Sequence, residues 1–154
     1  MLKMSRLTDY GTMVLSFLAT NPTQMQSASD VSRHTHLALP TVSKLLKQMA
    51  RAGLVVSARG AKGGYQLSRA PDEISAADVI DALEGPVAIT QCSGSVGHCQ
   101  LEDICGVSSS WQKINVAIRR ALDDVRLSHL AADEFRMPPI NLMGIPITRE
   151  AGRQ

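Results

Sequence analysis

Apolar positions near the start of the chain repeat at helical spacing and predict two helices. The first helix is expected to begin at Thr8, a residue type that caps helix N-termini, and to end before Asn21-Pro22. Ser27, followed three residues later by Asp30, predicts a short second helix that ends near Thr35. The inner face of the first helix is predicted to comprise Met13, Val14, Phe17 and Leu18.

A third helix and a β-hairpin are predicted next. Pro40 suits the first position of the helix, and Gly53 suits its C-terminal end. Short apolar runs at 54–57 and 65–68 predict two strands, joined by a basic, glycine-rich turn at 59–64. The inner face of the third helix is predicted to comprise Val42, Leu45, Leu46 and Met49. This order of elements is typical of a winged helix-turn-helix.

The second half of the chain predicts a short helix, a loop and a long helix. A capping box at Ser75 starts the short helix, which Gly85-Pro86 ends. The segment 87–106 is rich in Gly and Ser and is predicted to be an irregular loop. Over 109–130, an apolar seam predicts either packing against a partner helix or an amphipathic helix packed on its own domain. The seam comprises Trp111, Ile114, Ile118, Ala121 and Val125.

These elements predict a mainly α fold, a winged helix-turn-helix with a C-terminal dimerisation helix. We expect residues 1–85 to form the DNA-binding domain and 86–108 to form a cysteine-rich loop. Residues 109–132 would form the dimerisation helix. Residues 133–154 contain several prolines without periodicity and are predicted to be a disordered tail.

The distribution of charge supports a nucleic-acid-binding half. The 154 residues carry a formal net charge of only +2, and 44% of them are hydrophobic, as in globular proteins. Residues 1–70 hold nine Lys or Arg and two Asp, whereas 71–154 hold seven Lys or Arg and twelve Asp or Glu. Chance segregation on a solvated surface is the alternative. Without a long apolar run or a signal-peptide pattern, we expect a cytoplasmic protein.

The third helix and the hairpin turn carry the residues expected to contact DNA. A helix in the major groove presents small or polar residues at its N-terminal end, and a glycine-rich wing brings cations to phosphates. For the lysines, the alternative is a solvated helix face. No Ser or Thr follows Lys62, so the turn is not a nucleotide-hydrolysing phosphate loop, and we expect no enzyme. The candidates are Ala38, Pro40, Thr41, Ser43, Lys44, Lys47, Arg59, Lys62, Gly63 and Gly64.

Three cysteines within the predicted loop are the candidate metal ligands. They lack the closely spaced pairs that are usual in structural zinc sites. Thiolates at looser spacing suit an iron–sulfur cluster, with a fourth ligand such as His98, Glu102, Asp103 or a residue outside the loop. Zinc, inert thiols or a thiol redox switch are the alternatives. The cysteines are Cys92, Cys99 and Cys105.

Together, the stretches 7–11, 39–47 and 59–65 and the three loop cysteines resemble the Rrf2 family of winged-helix regulators, over about residues 1–132. Within that family, the stretches 84–86 and 111–115 are most similar to the regulator of an iron–sulfur cluster assembly operon, the SUF operon. The resemblance implies a homodimer formed through the long helix and a 2Fe–2S or 4Fe–4S cluster bound by the loop cysteines. It also implies that the third helix and Arg59 read double-stranded operator DNA.

The sequence departs from parts of the family pattern. IscR-type members carry a histidine where this chain has Ser108, so that type of fourth ligand is absent. NsrR-type members can use an aspartate of the first helix, contributed by the partner subunit, and Asp9 matches it. Asp9 also suits the first turn as a helix-dipole partner. Because Ala38 replaces a capping Ser or Thr, base contacts cannot be transferred from IscR-type members.

These features predict a cluster-dependent transcriptional regulator that represses iron–sulfur cluster assembly genes. One alternative is a nitric-oxide-sensing or redox-sensing repressor of the same fold. Another is a winged-helix regulator that senses through thiols alone. An electron-transfer protein or enzyme that uses the cluster is disfavoured by the basic helix and wing.

Overall fold

The computed structural model describes residues 4–60, 62–90 and 106–132. The described chain is mainly helical and has one two-stranded antiparallel sheet. Its elements are α1 (Arg6–Thr20), α2 (Ala28–Thr35), α3 (Leu39–Arg51), β1 (Val55–Ala58), β2 (Gly64–Leu67), a one-turn 3-10 helix (Pro71–Glu73), α4 (Ala76–Glu84), α5 (Ser108–Asp123) and α6 (Leu127–Ala131). The predicted tail and most of the cysteine loop lie outside the described residues. No described helix is long and apolar enough to cross a membrane.

Helix α1 begins earlier than the sequence predicted. The Ser5 hydroxyl accepts a hydrogen bond from the backbone N–H of Leu7, so Ser5 and not Thr8 is the N-cap. Thr8 is the third residue of the helix, and it is buried. Val14 and Leu18 lie in the core as predicted, and so does Leu15. The prediction was wrong for Met13, which is exposed.

The helix-turn-helix is formed by α2 and α3. The Ser27 hydroxyl caps α2 by accepting from the Asp30 N–H at 3.1 Å. The turn after α2 passes through His36 in the left-handed conformation, with φ of 57°. Helix α3 starts at Leu39, so Pro40 occupies its second position and not the predicted first. The predicted inner face of α3 is fully buried and comprises Val42, Leu45, Leu46 and Met49.

A glycine ends α3 as predicted. Gly53 has φ of +75°, and its N–H donates to Ala50 O at 3.2 Å. The N–H of Leu54 donates to Met49 O at 2.9 Å. This pair of hydrogen bonds is the Schellman arrangement, which needs a left-handed residue after the helix. It turns the chain directly into β1.

The wing is built by β1 and β2, each offset by one residue from its prediction. Val55 pairs with Leu67, and Ala58 pairs with Gly64. Tyr65 also exchanges two 2.9 Å backbone hydrogen bonds with Gln26, which precedes α2. The sequence did not predict this bridge. It fixes the wing to the start of the helix-turn-helix.

Helix α4 confirms the predicted capping box. The Ser75 hydroxyl accepts from the Asp78 N–H at 3.1 Å, and the Asp78 carboxylate accepts from the Ser75 N–H at 3.0 Å. Ile74 and Val79, the residues in the positions of a hydrophobic staple, are both buried. Gly85 comes directly after the helix and has φ of +95°.

The single long helix predicted over 109–130 is two helices. Helix α5 ends at Asp123, and the chain then becomes extended at Arg126. Val125 O accepts from the Ala76 N–H, and the Leu127 N–H donates to Ile74 O, each at 2.8 Å. Leu127 is completely buried. The helix breaks because pairing with the segment before α4 and burying Leu127 replace its next turn.

Candidate nucleic-acid interface

The polar face of α3 carries the predicted major-groove residues. Ala38, Pro40, Lys44 and Lys47 are exposed, whereas Thr41 and Ser43 are half-buried. Ala38 makes no side-chain cap, and Pro40 has no N–H. The inner face of α3 is fixed in the core. The helix therefore presents its opposite face as a rigid surface.

The wing places a second set of cations on a short hairpin. Arg59 and Lys62 are both exposed. A side chain at Gly63 would lie 2.3 Å from Ala58 O, so the turn requires glycine there. At Gly64, φ is +156° and a side chain would lie 2.6 Å from Gln26 O. The two glycines allow the close backbone approach that shapes the wing.

The cations of α3 and the wing are available to an anion. Within the described segments, salt bridges involve only Arg33, Arg69 and Arg119 among the Lys and Arg residues. Lys44, Lys47, Arg59 and Lys62 make none there. Exposed, unpaired cations on one helix face and a neighbouring hairpin suit phosphate contacts.

Polar side chains hold the helix-turn-helix in shape. The Thr35 hydroxyl donates to Val31 O at 2.8 Å, and the Ser32 hydroxyl donates to Leu37 O at 2.7 Å across the turn. The ring of His34 stacks on Phe17 of α1, with centroids 4.5 Å apart. These contacts fix α2 against α1 and thereby position α3.

The C-terminal turn of α4 contacts both α3 and α1. The Gln48 side-chain amide of α3 donates to Ala82 O at 3.1 Å and to Leu83 O at 3.0 Å. The Glu84 carboxylate accepts from the Ser5 N–H at 2.8 Å and from the Thr8 hydroxyl. These two hydrogen bonds, the Thr8 bond first, lower the pKa of Glu84.

The same turn is joined to α5. Arg119 forms a bidentate pair with Asp81, with N–O distances of 3.0 and 2.7 Å. The hydrogen bond to Asp81 is the main cause that raises the pKa of Arg119. Val87 donates its N–H to Asp81 at 3.3 Å and accepts from the Asn115 amide at 3.0 Å. The chain leading to the cysteines is thus held at Val87 by both of its backbone groups.

The predicted cluster ligands Cys92, Cys99 and Cys105 lie outside the described residues, as does His98. No group of three or more His, Cys, Asp or Glu side chains that could hold a metal occurs in the described part. Asp9 is exposed in the first turn of α1. It is next to Thr8, which is bonded to the end of α4.

Sequence patterns did not identify Gln48, Glu84 or Arg119 as connecting residues. Their partners lie 34 to 79 positions away along the chain. No local pattern marks such pairs. The one available signal was that Gln48 is a polar residue on a helix whose neighbouring inner-face positions are apolar.

Comparison with known proteins places this arrangement among transcriptional regulators. The family model Rrf2, described as an iron-dependent transcriptional regulator, matches residues 4–133. The regulator IscR of Aliivibrio salmonicida is 35% identical over 68% of this chain and 62% of its own length. The regulator NsrR of Bacillus licheniformis is 29% identical over 86% of this chain and 94% of its own. The match to IscR therefore spans less than two thirds of that relative.

Solved structures agree on the fold. CymR, the global cysteine regulator of B. subtilis, is 31% identical with a TM-score of 0.65, over 85% of this chain and 97% of its own. IscR of T. potens is 30% identical with a TM-score of 0.60, over 82% and 84%. These comparisons confirm the predicted mainly α winged helix and the prediction of a regulator and not an enzyme.

Proposed function

The chain belongs to the Rrf2 family of transcriptional regulators, and on that premise we propose that it is a homodimeric repressor whose operator affinity depends on an iron–sulfur cluster. The genes that it controls are proposed to be those of iron–sulfur cluster assembly. The joint exposure of unpaired cations on α3 and the wing carries the DNA-binding part of this proposal. The N-terminal part of α3 would face the bases, through Ala38, Pro40, Thr41 and Ser43.

A homodimer is supported by the apolar surface of α5. No residue of α5 is buried, and Trp111 and Ile114 are 39% and 43% exposed. Exposed apolar side chains at helical spacing suit a partner helix of the same kind. Two copies would place two recognition helices on two half-sites. Dimerisation thus accounts both for the exposed seam residues Trp111 and Ile114 and for the two half-sites that operator binding needs.

The cluster would be held by Cys92, Cys99 and Cys105. Asp9 is the proposed fourth ligand and would come from the partner subunit, since it is exposed and makes no side-chain hydrogen bond or ion pair within the described segments. The cluster would be assembled, oxidised or lost as the iron supply and the redox state of the cell change. A difference in operator affinity between the two occupancy states would link that signal to transcription.

Purification under nitrogen tests the cofactor. We expect visible absorbance between about 300 and 600 nm, with iron and acid-labile sulfide in matching amounts. The Cys92→Ala variant should lose the absorbance, the iron and the sulfide together. A colourless wild-type protein that resists reconstitution would contradict the proposed cluster but would not contradict the proposed DNA binding.

Thiol sensing is the second candidate, favoured by the structural similarity to CymR, which is described as a cysteine regulator. In that case reversible oxidation, and not iron content, would change operator affinity. A nitric-oxide sensor of the same fold is separated from an assembly regulator by exposing the loaded protein to nitric oxide and to peroxide. Loss of operator binding with nitric oxide but not with peroxide would favour the nitric-oxide sensor.

A further inference from the structure

Gln48 connects the recognition helix to the end of α4. Its amide donates to two consecutive carbonyls, Ala82 O at 3.1 Å and Leu83 O at 3.0 Å. Gln48 directly follows Lys47, a predicted DNA contact, but is itself half-buried. One side of this turn of α3 therefore faces the proposed operator while the other side holds α4.

Among the described residues, no backbone N–H after α4 donates to either carbonyl. In a continuing helix, Ala82 O would accept from residue 86, but Pro86 has no N–H. Leu83 O would accept from Val87, whose N–H donates to the Asp81 carboxylate instead. Carbonyls at a helix end require a partner from elsewhere. Gln48 supplies it to both.

The end of α4 is also where the chain leaves for the cysteine segment. Val87 is held to Asp81 and Asn115, and Glu84 is held to α1. A displacement of 85–87 would therefore change the positions of the carbonyls that Gln48 binds. Of the side-chain hydrogen bonds among the described residues, only those of Gln48 join α3 to this turn.

We infer that Gln48 is a positioning residue that couples the recognition helix to the segment leading to the cysteines. This inference rests on the proposed DNA-binding function and adds the residue through which the two regions communicate. Coupling between binding equilibria is reciprocal, so a placement of 85–87 that changes DNA affinity would itself become more or less populated when DNA binds α3. Since all three cysteines of the chain lie between 92 and 105, thiol reactivity reports on that segment alone.

The test measures the rate at which N-ethylmaleimide modifies the reduced, metal-free full chain, with and without saturating duplex DNA from its own upstream region. In the wild type we expect DNA to change the rate by roughly 5-fold or more. In Gln48→Met, which keeps length but removes the donor, the change should fall below about 2-fold at saturation. Gln48→Lys restores a donor and should restore the effect. Gln24→Met, an exposed glutamine in the loop before α2, is the matched control and should behave as wild type.

Anisotropy of the labelled duplex and circular dichroism are recorded for each variant. A DNA effect that persists in folded, saturated Gln48→Met would overturn the inference, because DNA would then only shield the thiols or act through other contacts. If bound DNA leaves the modification rate of the wild-type thiols unchanged, the inference is overturned too, while the proposed function stands. Because the metal-free chain is expected to bind about 5 to 150 times more weakly or more tightly than the iron-loaded chain, protein is added until the anisotropy saturates. If the duplex binds neither the metal-free nor the iron-loaded chain, the proposed DNA-binding function has failed, and the inference fails with it.

Discussion

Replacing Leu127 with alanine should destabilise the protein strongly although Leu127 lies near the end of the described chain. Its side chain is fully buried, and its N–H donates to Ile74 O at 2.8 Å. Removing the buried leucine atoms costs about 0.8 kcal/mol per methylene, and the cavity adds to this. We therefore expect a loss of about 3 kcal/mol, within the range measured for buried leucines.

Urea unfolding at one fixed protein concentration measures this loss, since a dimer's stability depends on concentration. With a slope of about 2 kcal/mol per molar, the midpoint should fall by roughly 1.5 M. Leu39→Ala is the matched control: Leu39 is 43% exposed and should cost less than about 1 kcal/mol. Equal midpoints for the two variants would refute the explanation that burial of Leu127 breaks the long helix.

Three further predictions concern DNA binding and pH. Lys44→Ala and Lys62→Ala should each weaken binding to any duplex and reduce the slope of log K against log salt by roughly 0.9; an unchanged slope removes that lysine from the interface. In Gly63→Ala the new methyl group would meet the wing backbone, so we expect a clear loss of operator affinity with a smaller loss of thermal stability. In Gly106→Ala the new methyl group has open space around it, so operator affinity and thermal stability should both stay unchanged. The pKa of Glu84 is lowered from 4.5, so Glu84 stabilises the fold above that pH and the contribution is lost as pH falls below it. In urea unfolding across that pH range, the free energy of unfolding should fall less on acidification in Glu84→Gln than in the wild type. The same pH dependence in both proteins would contradict this role.

Local signals predicted the parts of the fold that local chemistry determines. Ser27 and Ser75 cap the helices after them, and Gly53 ends α3 through backbone hydrogen bonds of its own turn. The apolar period of α3 identified its buried face correctly. For the two caps and the turn at Gly53, the interacting groups are within five residues, so sequence spacing contains the needed information.

Where the sequence predictions failed, distant partners determine the structure. Apolar spacing through 130 predicted one helix, but pairing with the segment before α4 favours an extended Arg126. Thr8 has a good capping side chain, yet that hydroxyl bonds Glu84 at the other end of the domain. Of the candidate site, the cations of α3 and the wing were predictable from charge and order. The connections through Gln48 were not, because they depend on how α3 packs against α4.

Operator affinity is proposed to depend on the state of the cysteine segment. One measurement tests this dependence most directly: the ratio of dissociation constants for the upstream duplex between the anaerobically purified protein and the same protein after its iron has been removed. We predict a ratio of about 5 to 150 that disappears in Cys92→Ala. Equal dissociation constants for the iron-loaded and iron-free wild-type protein would contradict the proposed dependence.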